Sequence, residues 1–188
     1  MASIITATTT SGLTQSADNS GVLQLASGSG NLVTVPSVTG TAMVSGNMPA
    51  FAVWGSSGTS LTNNINTKIT YDTEEFDTNN NFASSRFTPT VAGYYQISGS
   101  VQISVSSGFS VRGLASIYKN GSEYKRGGYQ WPNTGGSTST YQVCSVVYLN
   151  GSTDYVELFG FNESANSPIF DGSGGSACYF SGSLVRTA

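Results

Sequence analysis

A strict alternation of apolar and polar side chains marks the middle of this chain, just after the turn-forming residues Pro89 and Gly93. Its apolar positions are Tyr95, Ile97, Gly99, Val101 and Ile103. Its polar positions are Gln96, Ser98, Ser100 and Gln102. Because successive side chains of a β-strand point to opposite faces, this period of two predicts a half-buried strand.

Further short apolar or alternating runs follow residue 49, separated by Gly, Asn and Ser. We predict strands at residues 50–54, 66–71, 111–118, 141–149, 154–159 and 177–185. The pairs Asn120-Gly121 and Asn150-Gly151 predict tight hairpin turns. The acidic segment 72–77 is expected to be a solvated loop. No long run has helical spacing, so the sequence predicts an all-β fold.

The N-terminal part differs in character, since residues 1–67 carry a single charged side chain, Asp18. Short strands are predicted at residues 21–26 and 31–35, with Gly28–Gly30 as the turn between them. Their few apolar residues cannot form a stable core alone. The segment is either a flexible tether or an arm whose strands pair with copies of themselves or with another protein, and the alternation favours pairing. We therefore expect an arm at residues 1–48 and a head at residues 49–188.

Composition narrows the function classes. The chain has 188 residues with 9% charged side chains, a net charge of −3, and 10 Tyr, 9 Phe and 2 Trp to fill a core. Without a run of Lys or Arg, nucleic-acid binding and attachment to an anionic membrane are not expected. No apolar run is long enough for a membrane helix, and the N-terminus lacks the pattern of a secretory signal. We therefore expect the protein to be synthesised in a cytoplasm and not to enter a secretory pathway.

The residue types present in the chain give little support for a catalytic function. The chain contains no His, which removes the commonest general base and most transition-metal sites. The acidic residues Glu74, Glu75 and Asp77 are expected to be solvated, with a calcium ion as the alternative. Glycoside hydrolysis by a distant carboxylate pair, such as Glu157 with Asp72, is the remaining enzymatic alternative. We predict a non-enzyme without cofactor or metal.

One segment is a candidate interaction surface, because aromatic residues beside Arg are frequent anchors of interfaces. It comprises Tyr124, Lys125, Arg126, Tyr129 and Trp131. These side chains either line a seam between subunits or recognise a receptor or a neighbouring protein. The residues expected in the core or in packing between subunits are Phe51, Trp54, Tyr95, Phe159 and Phe180.

Spaced landmarks in the head resemble the C1q/TNF-like jelly roll. The first is the run Phe-Thr-Pro-Thr-Val-Ala-Gly-Tyr-Tyr at residues 87–95. The others are Ala-Phe-Ala-Val at 50–53, Tyr-Lys-Asn-Gly at 118–121, Tyr-Leu-Asn-Gly at 148–151 with Asp-Tyr-Val at 154–156, and Phe-Ser-Gly-Ser-Leu at 180–184. The resemblance implies a ten-stranded sandwich that forms a homotrimer around a three-fold axis. Because two residues separate Gly151 from Asp154, we carry over no calcium site.

The two cysteines, Cys144 and Cys178, are too few for a disulfide framework, and either free thiols or one disulfide fits their number. The resemblance implies that their strands lie in one sheet with another strand between them. Strands lie about 4.8 Å apart, so that arrangement exceeds the reach of a disulfide. We expect free, buried thiols.

The arm also resembles segments of tailed-phage virion proteins in its run Ala-Asp-Asn-Ser-Gly-Val-Leu-Gln-Leu at residues 17–25. This resemblance implies a non-catalytic virion protein, anchored to other virion proteins by the arm, whose head binds a host receptor or glycan on a tail fibre or spike. One alternative is a capsid decoration protein at three-fold positions. The lack of shaft-like repeats favours this alternative. A soluble C1q-like lectin or adhesin is a further alternative.

Overall fold

The computed structural model describes residues 23–27, 31–35, 46, 48–55, 58–104, 112–129, 138–163, 169–170 and 176–188. The chain divides into two compact units, Met1–Ala42 and Met43–Ala188. In the first unit, β1 (Leu23–Ser27) and β2 (Asn31–Val35) form an antiparallel hairpin in which Leu25 lies opposite Val33. The two strands predicted in the arm are confirmed, and the turn predicted at 28–30 lies outside the described residues.

The described residues of the second unit form thirteen strands in two antiparallel sheets. The first sheet comprises β3 (Ala50–Trp54), β4 (Thr59–Ser60), β6 (Thr73–Asp77), β9 (Gly93–Ser104), β12 (Thr138–Leu149), β14 (Ile169–Phe170) and β15 (Tyr179–Thr187). The second comprises β5 (Thr67–Lys68), β7 (Phe82–Ala83), β8 (Arg86–Phe87), β10 (Arg112–Lys119), β11 (Ser122–Arg126) and β13 (Val156–Glu163).

Strand β9 is the centre of the first sheet, where it pairs along its whole length with β12 on one side and with β15 and β14 on the other. The alternation predicted for this strand is confirmed, because Tyr95, Ile97 and Val101 are 0% exposed while Tyr94 on the opposite face is 43% exposed. The sheet continues from β15 through β3 to β6. The second sheet runs β11-β10-β13-β8-β7, with β5 paired to β13.

The core lies between the two sheets and is built around aromatic rings. Phe51 stacks on Phe87 at a centroid distance of 4.3 Å and meets Phe180 edge-on at 5.1 Å. Tyr95 is also buried, and its hydroxyl donates to the backbone carbonyl of Val91 at 2.6 Å. Burial raises the pKa of Tyr95 to about 12, since the interior disfavours a phenolate.

The predicted hairpin at Asn120-Gly121 is confirmed. Both residues have positive φ, 52° and 78°, as a tight turn between right-twisted strands requires. It joins β10 to β11, whose register shifts between Ile117 and Tyr118 so that Tyr124 becomes the extra residue of a bulge.

In the segment between β4 and β7, one prediction was wrong and another is confirmed only in part. The acidic residues 73–77 form an edge strand rather than a loop, because β3 leaves one row of backbone groups free for pairing. Strand β5 covers only Thr67–Lys68 of the predicted 66–71, although the Ile69 amide still donates to Leu158 O at 3.0 Å. The Tyr71 amide instead donates to the Ser85 hydroxyl, at 2.8 Å.

Candidate interaction surfaces

The pleat of β11 divides the surface predicted from the sequence. Arg126 lies opposite Ser116, and Lys125 opposite Ile117, so the two cations point to opposite sides of the strand. Arg126 comes together with Tyr129, whose hydroxyl lies 3.2 Å from Nη1. Lys125 instead lies over the Tyr124 ring, with Nζ 5.4 Å from the centroid.

The fifth predicted residue, Trp131, lies outside the described residues. Tyr124 and Tyr129 are 43% and 41% exposed, so both rings are accessible to a partner. The structure therefore offers two exposed aromatic–cation pairs on and beside β11 rather than one continuous cluster.

Arg126 is oriented by Glu123. Its Nε and Nη2 donate to the two carboxylate oxygens at 2.7 and 2.6 Å, a bidentate geometry that fixes the guanidinium plane. The Ser116 hydroxyl adds a third hydrogen bond to Glu123, at 2.8 Å. The bond from Arg126 lowers the pKa of Glu123 below its usual value. The carboxylate is therefore ionised at neutral pH and holds Arg126 in place.

Sequence reasoning missed an ion cluster around Glu157. This carboxylate is 4% exposed, yet its Oε1 accepts from Lys68 Nζ at 2.7 Å and from Arg86 Nε at 3.0 Å. Arg86 also covers the Tyr155 ring, with its guanidinium carbon 3.7 Å from the centroid. Two cations thus hold Glu157, which argues against the catalytic acid considered for it. No local pattern reveals this cluster, because its members are far apart in the chain.

A stacked aromatic pair lies beside that cluster. Tyr118 and Phe159 are half-buried on the outward side of the second sheet, with ring centroids 3.8 Å apart. Burial, with a contribution from Glu123, raises the pKa of Tyr118. Among the residues expected in packing, Phe51, Tyr95 and Phe180 lie in the core, while Phe159 belongs to this outward pair. Trp54 is half-buried on the first sheet, opposite Tyr179.

Charge is distributed unevenly over the two sheets, and in the first sheet the carboxylates Glu74, Glu75 and Asp77 are confined to the edge strand β6. Strands β3, β9, β12 and β15 carry one charged side chain, Arg186, over their whole described length. Six of the seven cations of the chain lie instead on the second sheet, together with Glu123, Glu157 and Glu163. Those six cations are Lys68, Arg86, Arg112, Lys119, Lys125 and Arg126.

We call the outward side of β3, β9, β12 and β15 the uncharged face, because its charged side chain, Arg186, lies opposite Tyr94 at the end of the face and outside the central rows. Its central rows consist of Val146, Gln96, Ser183 and Ala50, then Cys144, Ser98, Ser181 and Ala52, then Gln142, Ser100, Tyr179 and Trp54.

Exposed apolar side chains border these rows, with Tyr148 and Tyr94 in contact at one end and Phe76 on β6 at the edge. Two shallow hollows of about 270 and 240 Å³ lie on this face, on either side of Ser98. A flat face of this kind suits contact with protein better than contact with water.

The expectation for the cysteines is confirmed in part. Neither cysteine forms a disulfide, and β9 lies between β12, which contains Cys144, and β15, which begins immediately after Cys178. Cys178 is buried, but the prediction that Cys144 is buried was wrong. Cys144 lies opposite Ser98, so its side chain points outward onto the uncharged face.

The described residues show neither a helix able to cross a membrane nor a group of three potential metal ligands among His, Cys, Asp and Glu. The carboxylates of the acidic strand β6 have other surroundings than a metal site: Glu74 and Glu75 are exposed, and Asp77 accepts a hydrogen bond from the backbone amide of Phe82 at 2.7 Å.

Comparison with known proteins gives the fold. No family model matches the chain, and no curated protein matches it in sequence. The globular domain of zebrafish complement 1qA matches with a TM-score of 0.52 and 16% identity, over 74% of this chain and 99% of that one. Murine APRIL at pH 5.0 matches with a TM-score of 0.52 and 9% identity, over 73% of this chain and 99% of that one. The predicted C1q/TNF-like jelly-roll fold is therefore confirmed.

Proposed function

We propose that this chain is a non-catalytic structural protein of a bacteriophage virion. Its C1q/TNF-like head forms a homotrimer and binds the host surface on a tail fibre or spike. The observation that carries the proposal is the uneven placement of charge: the central rows of the uncharged face are suited to other copies of the chain, and the outward face of the second sheet is suited to a polar partner.

The uncharged face supports self-association. Val146 and Tyr148 on β12 are 49% and 41% exposed, and Tyr94 beside them is 43% exposed. Burying the apolar surface of such side chains in a contact stabilises that contact by about 25 cal/mol per Å². No ion has to be desolvated in the central rows, so their burial avoids the main cost of a polar interface. Three copies around a closed axis cover the face in every subunit, as the resemblance of the sequence to C1q/TNF-like heads implies.

The second sheet supports recognition. Lys68 and Arg86 are held by Glu157, and Arg126 is held by Glu123 and Tyr129, so these cations are oriented before a ligand arrives. Preorganised Arg and Tyr side chains are frequent anchors in binding surfaces. A trimer presents three equivalent copies of this surface, so that modest contacts add up to firm attachment.

A binding role is also favoured over catalysis by the environment of the carboxylates. Glu157 and Glu123 are each bound by Lys or Arg, so neither carboxylate is free to exchange a proton with a substrate as a general acid must. Glu163 is likewise paired with Arg112, at 2.7 Å.

The arm supports attachment to the particle. An isolated two-stranded hairpin such as β1–β2 is marginal in water, and a partner protein that adds strands would stabilise it. The phage-like run at residues 17–25 favours another virion protein as that partner.

Immunogold electron microscopy of the phage particle tests the virion role. Gold at the tail tip in a few copies supports the fibre or spike. Labelling over the whole capsid supports the decoration protein instead. Particles without label, alongside a labelled soluble fraction, would contradict both and favour a soluble lectin or adhesin.

A further inference from the structure

The Glu157 cluster has more positive charge than its carboxylate neutralises. Lys68 and Arg86 both bind the same oxygen of Glu157, whereas the other ion pairs of the described residues join one cation to one carboxylate. Since Glu157 is 4% exposed, it cannot turn away to bind another group. One unit of positive charge is therefore left at the surface of this site.

Both cations keep hydrogen-bonding capacity for a ligand. The Lys68 ammonium has three N–H donors and uses two of them, on Glu157 and on the Ser84 carbonyl at 2.8 Å. The Arg86 guanidinium has donors on three nitrogens, and its bonds to Glu157 come from Nε and Nη2. The side chains of Lys68 and Arg86 are 31% and 42% exposed, so the remaining donors are within reach of solvent.

The site is rigid. The guanidinium of Arg86 is in contact with the Tyr155 ring, and Lys68 is fixed by the carbonyl of Ser84. Ser84 and Ser85 form a turn in which both residues have positive φ, 53° and 55°, a conformation that is costly for residues other than Gly and Asn. The buried Ser85 hydroxyl, bound to the backbone of Tyr71, maintains this turn.

Apolar ring surface adjoins the cations. Phe159 lies directly opposite Lys68 in the sheet, and Tyr118 lies directly opposite Glu157. The stacked pair formed by Phe159 and Tyr118 is therefore next to Lys68 on the same face. A cation beside half-buried rings complements a ligand that carries both a carboxylate and an apolar C–H surface.

We propose that Lys68, Arg86, Tyr118, Tyr155 and Phe159 form a binding site for a carboxylate-bearing sugar, as found in acidic polysaccharides. The carboxylate accepts hydrogen bonds from Lys68 and Arg86, and the sugar ring packs against Tyr118 and Phe159. Charge-assisted bonds of this kind are about twice as strong as neutral ones. The site supplies a ligand class for host-surface binding and rests on the role proposed above.

The test uses the full chain and one polysaccharide in two forms, polygalacturonate and its fully methyl-esterified derivative. The two share a backbone and differ in charge, so calorimetry on the unaltered protein isolates the carboxylate. We expect binding of the acid form that weakens with added salt, and no binding of the ester. Equal binding of both forms, or binding of neither, would overturn the proposal. Inorganic polyphosphate bound as tightly as polygalacturonate would also overturn it, since charge alone would then suffice.

Two substitutions locate the site. Lys68→Gln removes one charge-assisted hydrogen bond and is expected to weaken binding about tenfold. Arg112→Gln is the matched control, because the Arg112 side chain is 32% exposed on the same sheet and is neutralised by Glu163. It should leave affinity within about twofold of the unaltered chain. An equal loss in both variants would place the ligand elsewhere and overturn the assignment.

The oligomeric state, measured on the same samples, separates this proposal from the general one. A trimer that fails to bind polygalacturonate contradicts the sugar site alone. A monomer contradicts the trimeric head, whichever ligand it binds.

Discussion

Gly99 on the central strand of the first sheet faces Leu158 on the second so closely that a Cβ atom on Gly99 would overlap the Leu158 side chain. Leu158 is 0% exposed in the core, so it cannot move out into solvent to relieve the overlap. The spacing of the two sheets therefore depends on the absence of a side chain at this position.

Gly99→Ala should destabilise the head by about 1–3 kcal/mol, the usual cost of overfilling a packed core. Thermal or denaturant unfolding measures this change. Gly128→Ala is the matched control, because a Cβ atom there meets nothing within 4 Å. Equal stability of the two variants would show that the sheets are not packed as described.

The Glu157 cluster should contribute to stability as well as to binding. Glu157→Gln removes the charge that Lys68 and Arg86 share, and we expect a loss of about 1–2 kcal/mol. The loss is smaller than for a fully buried ion pair because both cations are partly solvated. Denaturant unfolding of the variant at neutral pH is the measurement, and Glu75→Gln, which alters an exposed carboxylate on β6, should change little. An unchanged midpoint for Glu157→Gln would contradict this account of the cluster.

Acid should destabilise the head through Asp154. Hydrogen bonds from Asn120 and then Lys119 hold the pKa of Asp154 below its usual value, so its contribution is present above about pH 4. That contribution is lost as the pH falls through the lowered pKa of the folded state. Melting temperatures between pH 6 and pH 2.5 should fall less steeply in Asp154→Asn than in the unaltered chain. Parallel curves would show that Asp154 does not couple stability to pH.

The cysteines report on the uncharged face. In a trimer that buries this face, neither Cys144 nor Cys178 should react quickly with a thiol reagent. Val146→Glu places a charge beside Cys144 and should dissociate the trimer, after which Cys144 reacts and buried Cys178 stays protected. Ile65→Glu is the control, since Ile65 is 54% exposed in a turn that is hydrogen-bonded to β13 of the second sheet. Rapid labelling of Cys144 in the unaltered chain would place the subunit contact elsewhere.

The sequence predicted those features of the fold that depend on neighbours along the chain. The alternation from Tyr95 to Ile103 identified β9 and its buried side, and Asn120-Gly121 identified a hairpin. Strand β6 was not predicted because its extended conformation depends on pairing with the edge of β3 and not on its own acidic composition.

The surfaces were harder to predict, because they are assembled across strands. Lys68 and Glu157 are 89 positions apart, and Arg86 and Glu157 are 71 apart, so only the pairing of β5, β8 and β13 brings them together. The segment around Tyr124 looked continuous in sequence, yet the pleat of β11 points Lys125 and Arg126 to opposite sides. The exposure of Cys144 likewise follows from its position opposite Ser98.

Sedimentation equilibrium of the 188-residue chain at micromolar concentration tests the central claim most directly. A single species with the mass of three 19.5 kDa chains is the result that self-association through the uncharged face predicts. A folded species with the mass of one chain would contradict it and would leave the exposed residues Tyr94, Val146 and Tyr148 without the partner proposed for them.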